Sequence, residues 1–335
     1  MRTNRKPVIQ SNWFWVLVYG AIMALLPLAL TNNYYIKILI IMGINTIIVL
    51  GLNLLMGYAG QVSLGHAAFY GIGAYASAIL TTKYGLSPWF GIAASVVLGG
   101  LIAYAIAVPT LRLKGHYLAM ATLGFAEIVH VLFLELRDYT GGTDGIFGIP
   151  SISFGSFTLE TPIKLYALVL IITLVALIMA INIINSRVGR ALRAVHGSEV
   201  AASAMGVDTS KYKIQVFVLS AVLACIGGSL YAHMAGYVSP ESFTLGVSIT
   251  LVTMVVFGGM ANVWGAVIGA SMLTLLQEYL KGYDDYNFVI FGAILVLAMV
   301  FMPKGLVGAG SKLIQIATRR STPIPETAGD SSAAS

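Results

Sequence analysis

The sequence has little charge. Only 10% of its 335 residues are Asp, Glu, Lys or Arg, against about 25% in an ordinary soluble domain. A soluble protein of this length needs more charged side chains than that to cover its surface. The chain is instead 58% hydrophobic, and apolar runs near the length of a transmembrane helix recur along it. These features exclude the soluble class and predict a polytopic α-helical membrane protein.

Cysteine and the common catalytic motifs are also scarce. Cys225 is the only cysteine, so no internal disulfide can form and the redox compartment cannot be inferred. The sequence has no GxxxxGK[ST] nucleotide-binding loop, no His/Cys cluster of zinc-site spacing and no recognisable nucleophile triad. We therefore expect no catalytic residue, no metal site and no cofactor in this chain. The net charge of +6 is attributed to loop topology, and no nucleic-acid partner is expected.

Ten apolar runs are candidate membrane spans. They cover residues 13–30, 36–56, 57–80, 89–108, 117–135, 163–184, 214–235, 245–257, 263–279 and 288–302. Closely spaced glycines predict a break in the third run, between residues 57 and 63. The run 245–257 has only thirteen residues, which is short enough for a half-helix or a re-entrant segment. The predicted fold is all-α, with about ten transmembrane helices, some of them broken or re-entrant.

The basic residues predict the orientation of these spans. If the N-terminus is cytoplasmic, 14 of the 19 Lys and Arg residues fall in inside segments, as the positive-inside rule expects. Both termini are then cytoplasmic. We expect a cytoplasmic tail at residues 1–12, a transmembrane domain at 13–312 and a disordered cytoplasmic tail at 313–335.

Residues 185–213 form the one long polar segment that is compatible with helix. The pattern predicts two short helices, because Gly197 can stop the first and Ser198 can cap the second. We interpret the segment as a cytoplasmic docking surface, and a solvated basic loop near anionic lipid is the alternative. The candidate docking residues are Arg187, Arg190, Arg193, Glu199, Ala202 and Gly206.

Polar side chains inside the apolar runs are candidates for a transport path. They are Gln61, Ser63, His66, Glu127 and His130. Glu127 and His130 lie three residues apart, which places them on one helix face. Hydrogen bonding between helices is the alternative role for the first three residues. Bracing of neighbouring helices is the alternative for Glu127, and ion coupling through the pair would make the protein a secondary transporter.

Two glycine-rich stretches are further candidates. The loop 140–148 has Thr143 and Asp144 at its centre, and we expect either a structural turn or a periplasmic gate at which substrate enters or a binding protein docks. The stretch GGMANVWG at 258–265 weakly repeats the pattern of GYAGQVSLG at 57–65. Paired broken segments of this kind point to a central pathway.

Six sequence blocks resemble those of permease subunits of branched-chain amino acid ABC importers, in particular the LivM type. The blocks are GLNLLMGYAGQVSLGHAAFYGIGAY (51–75), LRLKGHYLAMATLGFAEIV (111–129), TGGTDGIFGIP (140–150), SRVGRALRAVHGSEVAASAMGVDTSKYK (186–213), FGGMANVWGAVIGA (257–270) and FMPKGLVG (301–308). They occur in the family's order, and the resemblance extends from residue 36 to 308.

This resemblance implies a non-catalytic subunit of the bacterial cytoplasmic (inner) membrane that passes branched-chain or related amino acids inward. It implies two ATP-binding subunits that hold ATP and Mg²⁺, a second homologous permease, a periplasmic substrate-binding protein and surrounding membrane lipid. Residues 187–208 would be the coupling segment that sits in a groove of the ATPase subunit. Urea, short amides or other small polar solutes are alternative cargoes within the same architecture.

Overall fold

The computed structural model describes residues 8–30, 32–111, 113, 115–154, 157–159, 161–281, 292–293, 296 and 305–306. The helices of this part are α1 (Val8–Ala29), α2 (Asn33–Asn53), α3 (His66–Thr82), α4 (Pro88–Thr110), α5 (His116–Glu135), α6 (Arg137–Thr140), α7 (Pro162–Asn185), α8 (Arg187–Gly197), α9 (Glu199–Ala204), α10 (Thr209–Ala235), α11 (Leu245–Gly258) and α12 (Val263–Leu280). Four two-residue strands are β1 (Ile146–Phe147), β2 (Ser153–Phe154), β3 (Phe157–Thr158) and β4 (Tyr237–Val238). A π-helical turn (Leu54–Tyr58) extends α2, and 3₁₀ turns lie at Gly142–Asp144 and Pro240–Phe243.

Seven helical stretches of the described chain are long and apolar enough to cross a membrane. They are Asn33–Tyr58, Pro88–Thr110, His116–Glu135, Pro162–Asn185, Thr209–Ala235, Pro240–Gly258 and Val263–Leu280. The predicted all-α polytopic fold is thereby confirmed, while the count of about ten spans is approximate.

The remaining predicted spans correspond to shorter elements or to residues outside the described part. The first run is the apolar stretch Trp13–Leu28 of α1, and α1 itself begins at Val8, inside the segment assigned to the N-terminal tail. The third run is α3, a helix of 17 residues. The tenth run, 288–302, lies almost entirely outside the described residues, and the tail 313–335 lies outside them completely.

The short run near residue 250 is longer in the structure than the sequence indicated. The helix α11 has 14 residues, and the 3₁₀ turn before it lengthens the apolar helical stretch to the 19 residues Pro240–Gly258. This stretch is long enough to cross the membrane, so a half-helix is not required.

The centre of the bundle is built on small residues that let helix backbones touch. A side chain at Gly73 of α3 would overlap the backbone of Cys225 in α10, and one at Gly228 of α10 would overlap the carbonyl oxygen of Tyr70. Ser229 of α10 donates a hydrogen bond to the Gly73 carbonyl at 3.0 Å. Close backbone approach with polar cross-links is typical of helix packing in lipid, where apolar burial alone gives no driving force.

The spans differ in how much of their surface the chain covers by itself. The most apolar stretch of α2 is 89% buried, whereas those of α4 and α5 are only 28% buried. The helix α2 therefore lies inside the bundle, and α4 and α5 have open faces for lipid or for another protein.

The two ends of the bundle carry different structures. Helices α8 and α9 lie between the last residue of α7 and the first residue of α10, and we call this the α8–α9 end. At the opposite end, which we call the strand end, β1 pairs antiparallel with β4, with Ile146 opposite Val238 and Phe147 opposite Tyr237. Strands β2 and β3 form a second antiparallel pair.

Candidate functional site

The polar segment forms two short helices with a sharp break between them. The Ser186 hydroxyl caps α8 by accepting from the Val188 N–H at 3.1 Å, and the Ser198 hydroxyl caps α9 by accepting from the Ala201 N–H at 3.3 Å. Ser198 has extended backbone angles, φ −162° and ψ 113°. The predicted break therefore lies at Ser198, and α8 continues through Gly197.

The helix α8 has one face on the bundle and one basic face outside it. Gly189, Leu192 and Val195 are buried, whereas Arg187 and Arg190 are exposed. Neither arginine has a hydrogen-bond or ion-pair partner within the described residues. Both line an open cleft of about 520 Å³ between α8 and the start of α10, together with Asp208, Lys211 and Tyr212.

Arg193 points back to its own chain. Its Nη2 atom donates to the carbonyl oxygen of Ile184 at 2.9 Å. This bond ties the middle of α8 to the last turn of α7, where the terminal carbonyls otherwise have no helical partner. Arg193 therefore fixes the position of α8 relative to a span.

Glu199 is also bonded within the chain. Its Oε1 atom accepts from the Lys213 Nζ at 2.7 Å, and the Lys213 side chain is only 2% exposed. The same ammonium donates to the Leu111 carbonyl oxygen at 3.2 Å, just beyond the end of α4. One buried cation therefore connects α9, α10 and α4.

The small residues of α9 differ in their exposure. Ala202 is buried in its own chain at 4% exposure, so it is not available to a partner backbone as the sequence suggested. Gly206 is exposed and adopts φ +81°. The prominent exposed side chains are instead Val200 at 74% and Met205 at 84%. Both are apolar although α9, which carries Val200, and Met205 directly after it lie outside the membrane-crossing stretches.

The two glycine-rich broken segments contact each other. The Asn53 side chain donates to the Asn262 carbonyl at 2.9 Å and accepts from the Ala261 N–H at 3.1 Å. A side chain at Gly57 would overlap the backbone of Ala261. Ala261 has φ +58°, a conformation that is strained for an L-residue. Asn53 thus joins the break after α2 to the break between α11 and α12.

The first break also connects the α8–α9 end to the interior of the bundle. Gly60 packs against the His196 ring of α8, and an added Cβ would lie 2.7 Å from the ring Nδ1. Four residues later the chain reaches α5, because the Leu64 N–H donates to the Thr122 hydroxyl at 3.0 Å. The segment 59–65 therefore contacts α8 at one end and α5 at the other.

The first three candidate path residues take up hydrogen bonds within the chain. Ser63 and His66 are each 1% exposed, with the Ser63 hydroxyl 3.3 Å from the His66 Nδ1. The His66 Nε2 lies 2.6 Å from the Ser220 hydroxyl of α10. Gln61 is half-buried and donates to the Ala59 carbonyl at 3.2 Å. Of these contacts, the one between His66 and Ser220 joins two helices, whereas those of Gln61 and Ser63 are local.

The last two candidates lie on α5 and have no such contacts. Glu127 is exposed and has no hydrogen-bond or ion-pair partner among the described residues. The Nδ1 atom of His130 is buried and has no hydrogen-bond partner in the part of the chain that the structure describes. The two side chains are not hydrogen-bonded to each other, and within the described chain Glu127 does not brace a neighbouring helix.

The Gly-rich loop 140–148 is an ordered turn at the strand end. The Thr140 hydroxyl donates to the Phe133 carbonyl at 2.7 Å and accepts from the Gly142 N–H at 3.2 Å. Thr143 and Asp144 are exposed in the 3₁₀ turn of this loop. β1 follows and pairs with β4, so the loop is held in place by both α5 and the end of α10.

Comparison with known proteins decides the family. The profile of a family described as the permease component of the branched-chain amino acid transport system matches residues 34–299. The chain belongs to this family. It is a LivM-type permease, because it is 32% identical over 294 residues to the high-affinity branched-chain amino acid transport system permease protein LivM of Escherichia coli (strain K12). That alignment covers 81% of this chain and 67% of the relative.

Two further groups of relatives are informative. The LivM protein of Salmonella typhimurium matches with the same identity and coverage. The LivH permease of Escherichia coli (strain K12) is 26% identical over 270 residues, which is 75% of this permease and 87% of the relative. This permease therefore resembles both the LivM and the LivH type. No solved structure matches the chain.

Some contacts in the permease were missed from the sequence. Lys213 looked like one of many basic loop residues, although it is a buried cation. Asn53 was read as part of an apolar span, although a lone amide near the end of such a run, before Gly57, is a signal of a polar bond. Val200 and Met205 were not identified from the sequence, where their one signal is that they are apolar residues inside a polar segment.

Proposed function

We propose that this permease passes branched-chain amino acids inward across the bacterial cytoplasmic membrane, paired with a second permease and driven by ATP that separate subunits hydrolyse. The named substrates of its relatives support this cargo. The distribution of Lys and Arg along the sequence supports a cytoplasmic location for both termini and for α8–α9. ATP and Mg²⁺ belong to the partner subunits in this account.

The main support for the proposal is the outer surface of α8–α9. Val200 and Met205 are apolar and highly exposed, next to a cleft lined by Arg187 and Arg190. Lipid covers exposed apolar side chains on a span, but α9 is not a span. An apolar patch rimmed by polar residues marks a protein contact, and the ATP-binding subunit is the partner that the transport cycle requires.

Three contacts connect this surface to the spans. Arg193 joins α8 to α7, Lys213 joins α9 to α10 and to the end of α4, and His196 packs on the break after α2. A displacement of α8–α9 by the ATP-binding subunits would therefore move four spans together. We assign Arg193 and Glu199 to this transmission and Arg187, Arg190 and Gly206 to the contact itself.

The exposed turn with Thr143 and Asp144 is proposed as the contact for a periplasmic binding protein. It is ordered, it lies at the end opposite α8–α9, and it offers a hydroxyl and a carboxylate to solvent. A binding protein that delivers substrate needs a fixed surface of this kind at the entry side.

The test replaces the exposed apolar residues by charge. The permease is coexpressed with its ATP-binding subunits and second permease, and the Met205→Glu and Val200→Glu variants are compared with Tyr84→Glu. Tyr84 is a suitable control because it is 63% exposed in the turn between α3 and α4, at the strand end.

We expect the Val200→Glu and Met205→Glu variants to insert in the membrane but to lose the ATP-binding subunits on purification and to lose transport. Tyr84→Glu should retain both. Retention of the complex and of wild-type transport in the double variant Val200→Glu/Met205→Glu would contradict the proposal.

A further inference from the structure

The helix α5 has a covered face and an open face. Leu118, Thr122, Ala126, Val129 and Phe133 are buried and follow one stripe of the helix. Glu127 lies on the opposite side of α5. Met120, two turns before it, is 69% exposed, and Val131, one turn after it, is 47% exposed. The Glu127 side chain therefore extends away from the rest of its own chain.

This carboxyl group lies at membrane depth. With a rise of 1.5 Å per residue, Glu127 is only about 2 Å along the axis from the middle of the span His116–Glu135. An acidic side chain in the hydrocarbon region is unfavourable unless it faces protein, water or an opposite charge. Since Glu127 has no partner in the described chain, a purely lipid-facing position does not explain it.

Two residues near Glu127 on α5 also lack contacts within the described chain. A Cβ at Gly124 would meet no atom within 4 Å, so this glycine leaves space beside Glu127 at the surface of the helix. The Nδ1 atom of His130, about one turn further on, is buried and has no hydrogen-bond partner among the described residues. A small residue and a carboxylate without a partner among the described residues thus lie together on the open side of α5, with the buried His130 nitrogen beside them.

We propose that this face of α5, which we call the Glu127 face (Met120, Gly124, Glu127, His130 and Val131), lines the substrate path against the second permease. In this arrangement the Glu127 carboxylate accepts hydrogen bonds from the α-ammonium group of the transported amino acid. The proposal rests on the proposed function, because it requires a permease pair with a path between its members.

Charge favours this occupant over lipid. An amino acid in the path carries an ammonium group that must leave water, and a buried carboxylate replaces that lost hydration by a charge-assisted hydrogen bond. The second permease is assigned as the other wall, because the proposed function pairs this chain with a second permease and α5 has an open face on which it can lie, only 28% of its most apolar stretch being buried.

Thiol accessibility tests the location of the path. The Cys225→Ser permease, assembled with its partner subunits in membranes, receives one cysteine at Met120, Gly124 or Val131. Leu101→Cys on α4 and Ile171→Cys on α7 are matched controls, since these side chains are 64% and 59% exposed in apolar spans. We expect a charged methanethiosulfonate reagent to label the three α5 positions faster than both controls. Equal, slow labelling at all five positions would overturn the path.

Substrate protection tests the role of the carboxylate. Leucine should slow the labelling of Gly124→Cys when Glu127 is present but not when it is replaced in Glu127→Gln. 4-Methylpentanoate, which lacks the ammonium group, should not slow the labelling. Leucine transport should fall by about tenfold to a hundredfold in Glu127→Gln, the equivalent of one hydrogen bond between charged groups. Protection by both ligands, or wild-type transport in Glu127→Gln, would overturn the ammonium contact.

These outcomes are separable from failure of the proposed function. If the ATP-binding subunits do not copurify with the unmodified permease, the proposed function fails whatever the labelling pattern is. If they copurify and the Glu127 face is not labelled, only the inference about α5 fails.

Discussion

The loss of Glu199 should destabilise the α8–α9 end more than the loss of Lys213, its partner in the ion pair. The Lys213 ammonium is almost completely buried, while the Glu199 side chain is 29% exposed. Replacing Glu199 by Ala leaves a buried cation with the Leu111 carbonyl as its one remaining partner among the described residues. Removing one partner of a buried pair is destabilising by about 3–5 kcal/mol. We expect about 3 kcal/mol, the lower end of that range, because water already reaches the carboxylate.

The complementary changes should be milder. Lys213→Met leaves a carboxylate that water can solvate and an unpaired Leu111 carbonyl, which corresponds to about 1–2 kcal/mol. The double variant Glu199→Ala/Lys213→Met contains no uncompensated charge. We therefore expect it to be about as stable as Lys213→Met alone, so the coupling energy between the two sites should equal the Glu199→Ala effect, about 3 kcal/mol.

Thermal unfolding of the purified complexes at one fixed scan rate measures these differences. A loss of 1 kcal/mol lowers Tm by roughly 2–4 °C in a domain of 150–250 residues, so Glu199→Ala should unfold several degrees below the unmodified protein. Lys281→Met is the matched control, because its pair with Glu278 is similar in length at 2.7 Å but the lysine is 63% exposed. If Glu199→Ala lowers Tm no more than Lys281→Met does, the assigned role of the buried pair is wrong.

Three further substitutions test the packing that positions the candidate site. Asn53→Leu keeps the side-chain volume but leaves the Ala261 N–H and the Asn262 carbonyl without their Asn53 partner. The free energy of unfolding, measured by denaturant titration, should therefore fall by about 2 kcal/mol or more. An unchanged denaturation midpoint would contradict the link between the two breaks. Ala261→Gly should raise the free energy of unfolding by about 0.5–1 kcal/mol, because glycine relieves the strain of the positive φ and this gain exceeds the entropic penalty of glycine. A lower Tm in the thermal unfolding scan would refute the strain. Gly73→Val should push α3 away from α10 and destabilise the protein by about 1–3 kcal/mol or more. Gly124→Val is the control for this third substitution, because its side chain meets open space. It should leave the Tm of the isolated chain unchanged.

Local sequence signals predicted the local structure of the candidate site well. The break at Ser198 depends on a serine that caps the helix following it, and the information for such a cap lies within three residues. The predicted break at 57–63 also depends on neighbouring glycines, and the structure has a π-helical turn followed by an irregular segment before α3 begins at His66. The length of the apolar runs predicted the membrane-crossing stretches because this information, too, is local in the sequence.

Contacts between distant segments could not be predicted in this way. Asn53 and Ala261 are 208 residues apart, and no local pattern shows that their two broken segments meet. The burial of Ala202 was missed because α9 is short and rich in small residues, so its sequence has no clear apolar stripe. Glu127 was identified as a candidate from its presence in an apolar run, but only the structure shows that it projects away from its own chain.

The most direct test of the central claim is leucine uptake by proteoliposomes with and without the ATP-binding subunits. We expect uptake only when the permease pair, the ATP-binding subunits, the binding protein and MgATP are all present. Uptake should be lost in the Val200→Glu/Met205→Glu complex. Leucine uptake by this chain alone, driven by an ion gradient without ATP, would contradict the central claim.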